Sequence, residues 1–222
     1  MTTPSDTITI NYFSDILCVW AWISQRRIDE LNAHFGDKIS IRYQFIDIFG
    51  DTHARIENQW SDKGSYTGFG NHVIQSAAPY ESAPVNSDVW HHTRPCTSAN
   101  AHMAIKAVEI THSQALATNF TFSLRRAFFI NAQDISSLNV IYSIANESEI
   151  DMQKIRHCID CGEAMAALMS DYQKAKDYAI KGSPCFVMND GRQILFGNVG
   201  YRVLQTNIDE LLHQANNEAS WC

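Results

Sequence analysis

The stretch from Thr7 to Glu30 constrains the fold of this chain more than any other. Residues 7–13 alternate polar with apolar side chains and are rich in β-branched and aromatic residues, which predicts a β-strand. Ser14 and Asp15 are turn formers, and apolar residues then recur at the spacing of an α-helix. Cys18 is therefore predicted to lie where a strand gives way to the first turn of a helix.

A cysteine in this position is a candidate nucleophile. Unpaired backbone N–H groups and the positive end of the helix dipole stabilise a thiolate. We therefore expect the pKa of Cys18 to lie below the free-thiol value of about 8.5, with Asp15 opposing that effect. The alternative is that Cys18 is a small buried hydrophobic residue without chemistry. Its position alone does not decide between the two.

A second stretch, far along the chain, has the pattern of a β-hairpin. Gly182-Ser183-Pro184 precedes a short apolar run, and an Asn-Asp-Gly turn separates it from a second run at 193–196. A proline is tolerated at the first position of a strand, and Asp-Gly favours a tight turn. The sequence thus predicts two strands that begin directly after Pro184.

Together the two stretches resemble the DsbA family of thioredoxin-fold oxidoreductases, over about residues 8–212. The motifs that carry the resemblance are Asp15-x-x-Cys18-x-Trp20 and Gly182-Ser183-Pro184. The resemblance implies an α/β thioredoxin fold with an inserted all-helical domain. It also implies a cis peptide bond before Pro184, facing Cys18. Trp20 would then shield the thiolate, and the backbone of Ser183 would pair with an extended substrate.

The chain departs from the DsbA pattern at Ala21, which stands where the second cysteine of the Cys-x-x-Cys motif is expected. Cys18 can still attack a disulfide, but no thiol one helical turn away resolves the adduct. We therefore predict a thiol-disulfide oxidoreductase or isomerase that acts through a single cysteine. External glutathione or another protein cysteine would release the product.

Two other functions stay open from the sequence. The chain is also similar to 2-hydroxychromene-2-carboxylate isomerases and kappa-class glutathione transferases, which carry a serine at the nucleophile position and use glutathione. This similarity implies substrate binding at Thr97 and Ser98, although simple helix capping explains these residues equally well. In glutathione-using relatives the start of the last helix binds the γ-glutamyl carboxylate through a Ser-Asp pair, which is absent from the segment from Asn198 to Arg202 here. The helix N-terminal amides and Arg202 are still predicted to be able to bind a carboxylate. The third function is non-catalytic binding on the same fold.

The remaining pattern divides the chain into three regions. Residues 1–48 and 180–222 are predicted to form a discontinuous thioredoxin-like domain. Residues 49–95 are rich in glycine, proline and histidine, and they predict an irregular loop that wraps over the active-site side. Residues 96–179 show successive helical patterns and predict the inserted helical domain.

Net charge and cysteine usage limit the partners. The net charge is −7 without a long basic run, which argues against nucleic acid or an anionic membrane as the main partner. No apolar run is long enough to span a membrane, and the first residues lack the pattern of a signal peptide. We therefore expect the protein to be cytoplasmic and its cysteines to be mostly reduced thiols. Homodimer formation stays open.

No tightly bound cofactor or metal is predicted, and glutathione is the candidate co-substrate. Cys158 and Cys161 form a Cys-x-x-Cys sequence, but no second pair with matching spacing completes a zinc site. Incidental surface thiols, a regulatory disulfide and a metal site remain the alternatives for this pair. Cys222 is a candidate remote thiol that could resolve an adduct on Cys18. The expected substrates are a thiol, a disulfide or a small electrophile.

Overall fold

A computed structural model describes residues 7–148 and 150–213. In this part of the chain the strands form one sheet in the order β2-β1-β3-β4. The strands are β1 (Ile8–Ser14), β2 (Ile39–Phe45), β3 (Cys185–Met188) and β4 (Gln193–Phe196). β1 pairs in parallel with β2, whereas β3 pairs antiparallel with both β1 and β4. The predicted α/β thioredoxin fold and the predicted hairpin are confirmed.

Helices cover both faces of the sheet. α1 (Val19–Phe35) and α9 (Tyr201–His213) pack on one face through a buried cluster that includes Tyr12, Leu31 and Leu204. Between β2 and β3 the chain forms the helices α2 (Thr52–Trp60), α3 (Ser65–Ala77), α4 (Ala99–Thr111), α5 (Gln114–Phe129), α6 (Leu138–Glu147), α7 (Met152–Asp160) and α8 (Glu163–Asp177). The second face of the sheet packs against α8, where Phe13 and Val187 form one buried cluster with Ala175.

The largest core cluster joins the helical insert to the start of α1. Ile16, Leu17 and Trp22 belong to the same buried cluster as Leu124 of α5 and Leu168 of α8. The segment around Cys18 is therefore fixed from two sides, by the sheet and by the insert.

The prediction of an irregular loop over residues 49–95 is wrong for residues 52–60 and 65–77, which form α2 and α3. Asp51 caps α2 by accepting a hydrogen bond from the backbone N–H of Ala54 at 2.9 Å. Two of the glycines in this segment, Gly68 and Gly70, lie inside α3. A Cβ on Gly68 would lie 1.8 Å from the carbonyl oxygen of Lys63, so the glycine permits a close approach of backbone rather than a turn.

Two further observations concern the part of the chain that the structure describes. No helix there is long and apolar enough to cross a membrane. Its five cysteines are all free thiols, and no cluster of metal-ligating side chains occurs among the described residues. In the Cys-x-x-Cys sequence Cys158 is buried whereas Cys161 is exposed. Cys222 lies outside the described residues.

Candidate active site

Cys18 occupies the N-cap position of α1, at the end of a tight turn that follows β1. Its backbone N–H donates to the carbonyl oxygen of Asp15 at 3.1 Å, and its own carbonyl oxygen accepts from the N–H groups of Ala21 and Trp22 at 3.1 Å each. The residue has an extended conformation, as N-cap residues usually do. The thiol is thus presented beside the free N–H groups that open the helix.

The two distant motifs meet at this thiol. The Ser183–Pro184 peptide bond is cis, as the resemblance implies. Cys18 Sγ donates a hydrogen bond to the carbonyl oxygen of Ser183 at 3.4 Å, across 165 residues of sequence. The Ser183 hydroxyl oxygen in turn accepts from the backbone N–H of Asp15 at 3.0 Å. The hairpin therefore closes directly onto the turn that carries the nucleophile.

A cleft of about 410 Å³ opens beside Cys18. It is lined by Cys18, Val19, Trp20, Ile48, Phe49, Arg55, Gln59, Trp60, Phe69, His72, Lys181, Gly182, Ser183 and Phe196. Five of these residues are tryptophan or phenylalanine, so the cleft suits a small molecule or a short segment with apolar groups. Of the predicted catalytic residues, Cys18, Trp20 and Ser183 line this cleft, whereas Pro184 is buried and absent from the lining.

The expectation of a lowered pKa at Cys18 is wrong. Burial raises the pKa of this thiol, since the residue is only 7% exposed. Hydrogen bonds from the Ser183 hydroxyl and from the backbone N–H groups of Ala21 and Trp20 oppose the rise, whereas the charge of Asp15 adds to it. At rest Cys18 is therefore a protonated thiol, which agrees with its donation to the Ser183 carbonyl.

We expect this raised pKa to appear in the alkylation kinetics of Cys18. Only the thiolate reacts, so the rate should keep rising about tenfold per pH unit without a plateau below the free-thiol value of about 8.5. The measurement is iodoacetamide labelling from pH 6 to pH 10, quantified at each cysteine by peptide mass spectrometry. The exposed Cys161 in the same sample serves as the internal reference. A midpoint for Cys18 below pH 8.5 would contradict the expectation.

Asp15 is the buried carboxyl that organises the turn before Cys18. Its oxygens accept hydrogen bonds from the backbone N–H of Leu17 at 2.9 Å and of Phe49 at 2.8 Å, and from the Ser98 hydroxyl at 2.8 Å. Burial nevertheless raises the pKa of Asp15 to about 6, with these hydrogen bonds and the charge of Arg55 opposing the rise. Asp15 therefore ties the nucleophile turn to the loops after β2 and before α4.

His102 of α4 supports the same turn from the side of the helical insert. Its Nε2 accepts a hydrogen bond from the backbone N–H of Ile16 at 3.0 Å, and its ring stacks on Phe45 with centroids 4.3 Å apart. Burial, reinforced by the charge of Arg125, lowers the pKa of His102 to about 3. His102 is therefore neutral, and its 3.9 Å approach to Asp15 is not an ion pair at neutral pH.

The hydroxyls of Thr97 and Ser98 lie outside the cleft lining. The Thr97 hydroxyl donates to the carbonyl oxygen of Gly50 at 2.8 Å and accepts from the N–H of Ala99. The Ser98 hydroxyl is fully buried and donates to Asp15. Both predicted substrate-binding residues thus hold the loops around the nucleophile turn together.

Asn198 and Arg202, the other predicted substrate-binding residues, are also absent from the cleft lining. Asn198 accepts from Arg27 and donates to the Tyr80 hydroxyl at 3.0 Å. Arg202 is exposed on α9.

The sequence did not identify Arg55, Trp60 or Phe69 as cleft residues, because they belong to the segment predicted to be irregular. The signal available was the cap at Asp51, which marks the start of α2.

Comparison with known proteins gives one match to a family model and several to curated proteins. The model of the DSBA-like thioredoxin domain matches residues 9–209. The ClpXP adapter protein SpxH of Halalkalibacterium halodurans is 26% identical over 185 residues, which cover 81% of this chain and 58% of that protein. The chain thus spans less than two thirds of the length of the curated relatives that it matches.

Several solved structures have a similar fold. A putative protein disulfide isomerase from Nitrosomonas europaea has a TM-score of 0.74 at 16% identity, with 95% of this chain and 100% of that chain covered. The cytosolic disulfide reductase DsbM from Pseudomonas aeruginosa has a TM-score of 0.69 at 16% identity, with 91% and 99% covered. A 2-hydroxychromene-2-carboxylate isomerase has a TM-score of 0.66 at 16% identity, with 93% and 97% covered. At these identities the likeness concerns the fold.

Proposed function

The chain belongs to the family of DSBA-like thioredoxin domains, and we propose that it is a thiol-disulfide oxidoreductase or isomerase that acts through the single thiol of Cys18. The observation that carries this proposal is the contact between Cys18 Sγ and the Ser183 carbonyl beside the cis bond at Pro184. This contact lies at the edge of a cleft large enough for a substrate. Within the described chain, Cys18 is the cysteine that lines it.

Among the described residues, no second thiol lines the cleft with Cys18, which supports a single-cysteine mechanism. Ala21 is completely buried at the position one helical turn from Cys18. Cys185 directly follows Pro184, but its side chain belongs to the cluster with Phe13 on the face of the sheet covered by α8. Burial raises the pKa of Cys185 to about 11, so it is a poor candidate for the resolving thiol.

The proposed reaction is a thiol-disulfide exchange in two steps. The Cys18 thiol loses its proton to solvent, and the thiolate attacks one sulfur of a substrate disulfide. A bond forms between Cys18 and that sulfur, the substrate S–S bond breaks, and the second sulfur leaves as a thiolate that takes up a proton. An external thiol, for which glutathione is the candidate, then attacks the mixed disulfide and restores Cys18.

The raised pKa of Cys18 favours reduction or isomerisation over strong oxidation. A thiol with a low pKa is a good leaving group, and a stabilised thiolate makes its disulfide strongly oxidising. Burial destabilises the Cys18 thiolate, so mixed disulfides on Cys18 should be comparatively poor oxidants. A cytoplasmic address fits this direction, and the similar structure of DsbM belongs to a cytosolic disulfide reductase.

The proposal is tested by trapping the intermediate. The purified protein is incubated with a model disulfide at pH 8, quenched with acid, and examined by intact and peptide mass spectrometry. We expect one substrate moiety on Cys18, and its release when glutathione is added.

A matched control separates this chemistry from incidental labelling of exposed thiols. The Cys96→Ser variant lacks an exposed cysteine that is absent from the cleft lining, and it should form the Cys18 adduct at the wild-type rate. If disulfides modify Cys96 and Cys161 but leave Cys18 free after prolonged incubation at pH 9, the proposal is wrong.

A second candidate function is that of a binding adapter, and the similarity to SpxH favours it. The match to this ClpXP adapter protein covers 81% of the chain. The edge strand β4 also presents large apolar side chains to solvent, since Phe196 is 62% exposed and Ile194 is 43% exposed. Exposed apolar side chains on an edge strand are available for contact with a protein partner. An adapter function predicts that Phe196→Ser abolishes partner binding whereas Cys18→Ser leaves it intact.

A further inference from the structure

Arg55 is a cation in the active-site cleft whose side chain has no hydrogen-bond or ion-pair partner among the described residues. Its side chain lines the cleft together with Cys18, and its guanidinium lies 4.8 Å from the centroid of the Phe49 ring. Nε of Arg55 is buried and has no hydrogen-bond partner. Among the described residues no carboxylate lies within ion-pair distance of this guanidinium. A buried donor of this kind normally has a partner, because leaving it unpaired is costly.

Asp15 does not supply that partner. Its charge acts on Arg55 through space, but its oxygens accept from Leu17, Phe49 and Ser98 instead. Asp15 is also completely buried behind the turn and does not line the cleft. Among the described residues, the guanidinium of Arg55 therefore has no hydrogen-bond or ion-pair partner, and its side chain lines the cleft that contains Cys18.

The charges of the cleft differ from those of the whole protein. The chain has a net charge of −7, yet the described residues that line the cleft include Arg55 and Lys181 and no aspartate or glutamate. Lys181 is exposed, next to the Gly182-Ser183 backbone that faces the thiol. An acidic protein that keeps its reactive thiol in a cationic cleft is suited to an anionic ligand.

We propose that the substrate of Cys18 is a small disulfide that carries a carboxylate, and that Arg55 binds this carboxylate while the substrate sulfur lies at Cys18. This inference rests on the thiol-disulfide function proposed above and names its substrate class. A planar guanidinium is well suited to a carboxylate, and the two groups form strong, charge-assisted hydrogen bonds. The cleft volume of about 410 Å³ is that of a small-molecule site. Its aromatic side chains would pack against the carbon chain of the substrate.

The chemical step is the exchange described for Cys18. The Cys18 thiolate forms a bond to the sulfur nearer Arg55, the S–S bond of the substrate breaks, and the other half leaves as a thiolate that solvent protonates. Cys18 is oxidised to the disulfide level, and the leaving half is reduced to a thiol. Arg55 takes no proton and acts by positioning the charged substrate.

The test compares three small disulfides that differ in charge. They are 3,3′-dithiodipropionate, which is a dianion, bis(2-hydroxyethyl) disulfide, which is neutral, and cystamine, which is a dication. The rate of adduct formation on Cys18 is measured at pH 8 by peptide mass spectrometry, for the wild type and for Arg55→Met. Each rate is divided by that of the same disulfide with free N-acetylcysteine, which removes the intrinsic reactivity.

We expect the wild type to react fastest with the dianion and slowest with the dication. Arg55→Met should lower the normalised rate of the dianion by about tenfold relative to that of the neutral disulfide, the size expected for one lost charged hydrogen bond. An effect of Arg55 on the pKa of Cys18 would slow all three disulfides equally. The ratio between disulfides therefore reports on binding of the substrate charge alone.

Two controls accompany the variant. Arg42→Met removes the same charge from an exposed position on β2 outside the cleft lining, and it should leave the ratio unchanged. Raising the salt concentration should reduce the preference of the wild type for the dianion, because salt screens the attraction. This second measurement needs no variant, so the proposal stays testable if Arg55→Met does not fold.

Four results would overturn the inference. Equal normalised rates for the three disulfides would contradict a preference for an anionic substrate. An equal decrease of all three rates in Arg55→Met would contradict carboxylate binding by Arg55. Both results would leave the proposed thiol function intact. A faster reaction with an aspartate-containing peptide disulfide than with 3,3′-dithiodipropionate would show that the substrate is a peptide and not a small molecule. If Cys18 reacts with none of the disulfides, the proposed function fails together with the inference.

Discussion

Replacing Ala21 with cysteine should convert the protein from a single-thiol to a dithiol enzyme. Residue 21 lies three positions after the N-cap Cys18, and its backbone N–H donates to the Cys18 carbonyl oxygen at 3.1 Å and lowers the pKa of the thiol. Residues three apart in a first helical turn are within the distance that a disulfide requires. The introduced thiol should therefore attack the mixed disulfide on Cys18 and release the substrate thiol without external help.

We expect substrate release from the Cys18 adduct to become faster by about 100-fold or more at 1 mM glutathione, since an adjacent thiol has a high effective concentration. The measurement is the decay of a preformed adduct, followed by mass spectrometry after quenching. Ala21→Ser is the matched control, because it has nearly the same size without a thiol. Equal decay of the adduct in Ala21→Cys and Ala21→Ser would show that the geometry at this position does not support resolution.

Acid should destabilise the protein through His102. The pKa of His102 is about 3 in the folded state, because burial disfavours the charged ring, whereas an unfolded histidine has a pKa of about 6.5. As the pH falls below 6.5, His102 therefore binds a proton in the unfolded chain but stays neutral in the folded chain. At about 1.4 kcal/mol per pKa unit, this histidine should cost about 3 kcal/mol of unfolding free energy between pH 7 and pH 4.

The matched variant is His102→Gln, which keeps an acceptor for the N–H of Ile16 but cannot titrate. Asp15 has the opposite sign, since its folded pKa of about 6 lies above the ordinary 3.8 and it stabilises the protein as the pH falls. Both proteins contain Asp15, so the difference between their urea unfolding free energies isolates His102. We expect that difference to change by about 3 kcal/mol from pH 7 to pH 4. A difference that is independent of pH would contradict the assignment.

The sequence alone was sufficient for the elements that carry the nucleophile. Alternation followed by helical spacing predicted β1 and α1 with Cys18 between them, and the structure places Cys18 at the N-cap of α1. The proline and the Asn-Asp-Gly turn predicted the hairpin of β3 and β4. These signals are local, because periodicity, turn residues and caps act within a few residues of each other.

The tertiary structure decided what surrounds the thiol. Helix α2 was missed since its surroundings are rich in glycine, and with it Arg55, whose proximity to Cys18 depends on how α2 packs across the cleft. Ser98 was predicted to meet a ligand, yet it binds Asp15, a partner 83 residues earlier in the chain. No local pattern specifies which side chains from separate segments become neighbours.

The pKa of Cys18 also depends both on local sequence and on packing between distant segments. Its place at a helix N-terminus predicted a lowered pKa, and the N–H groups of Trp20 and Ala21 do act in that direction. Burial by the hairpin and by the helical insert raises the pKa, and this effect is the larger one. The sequence by itself determined where the thiol lies along the chain. Its desolvation, and the cationic cleft beside it, arise from packing between distant segments, which only the tertiary structure contains.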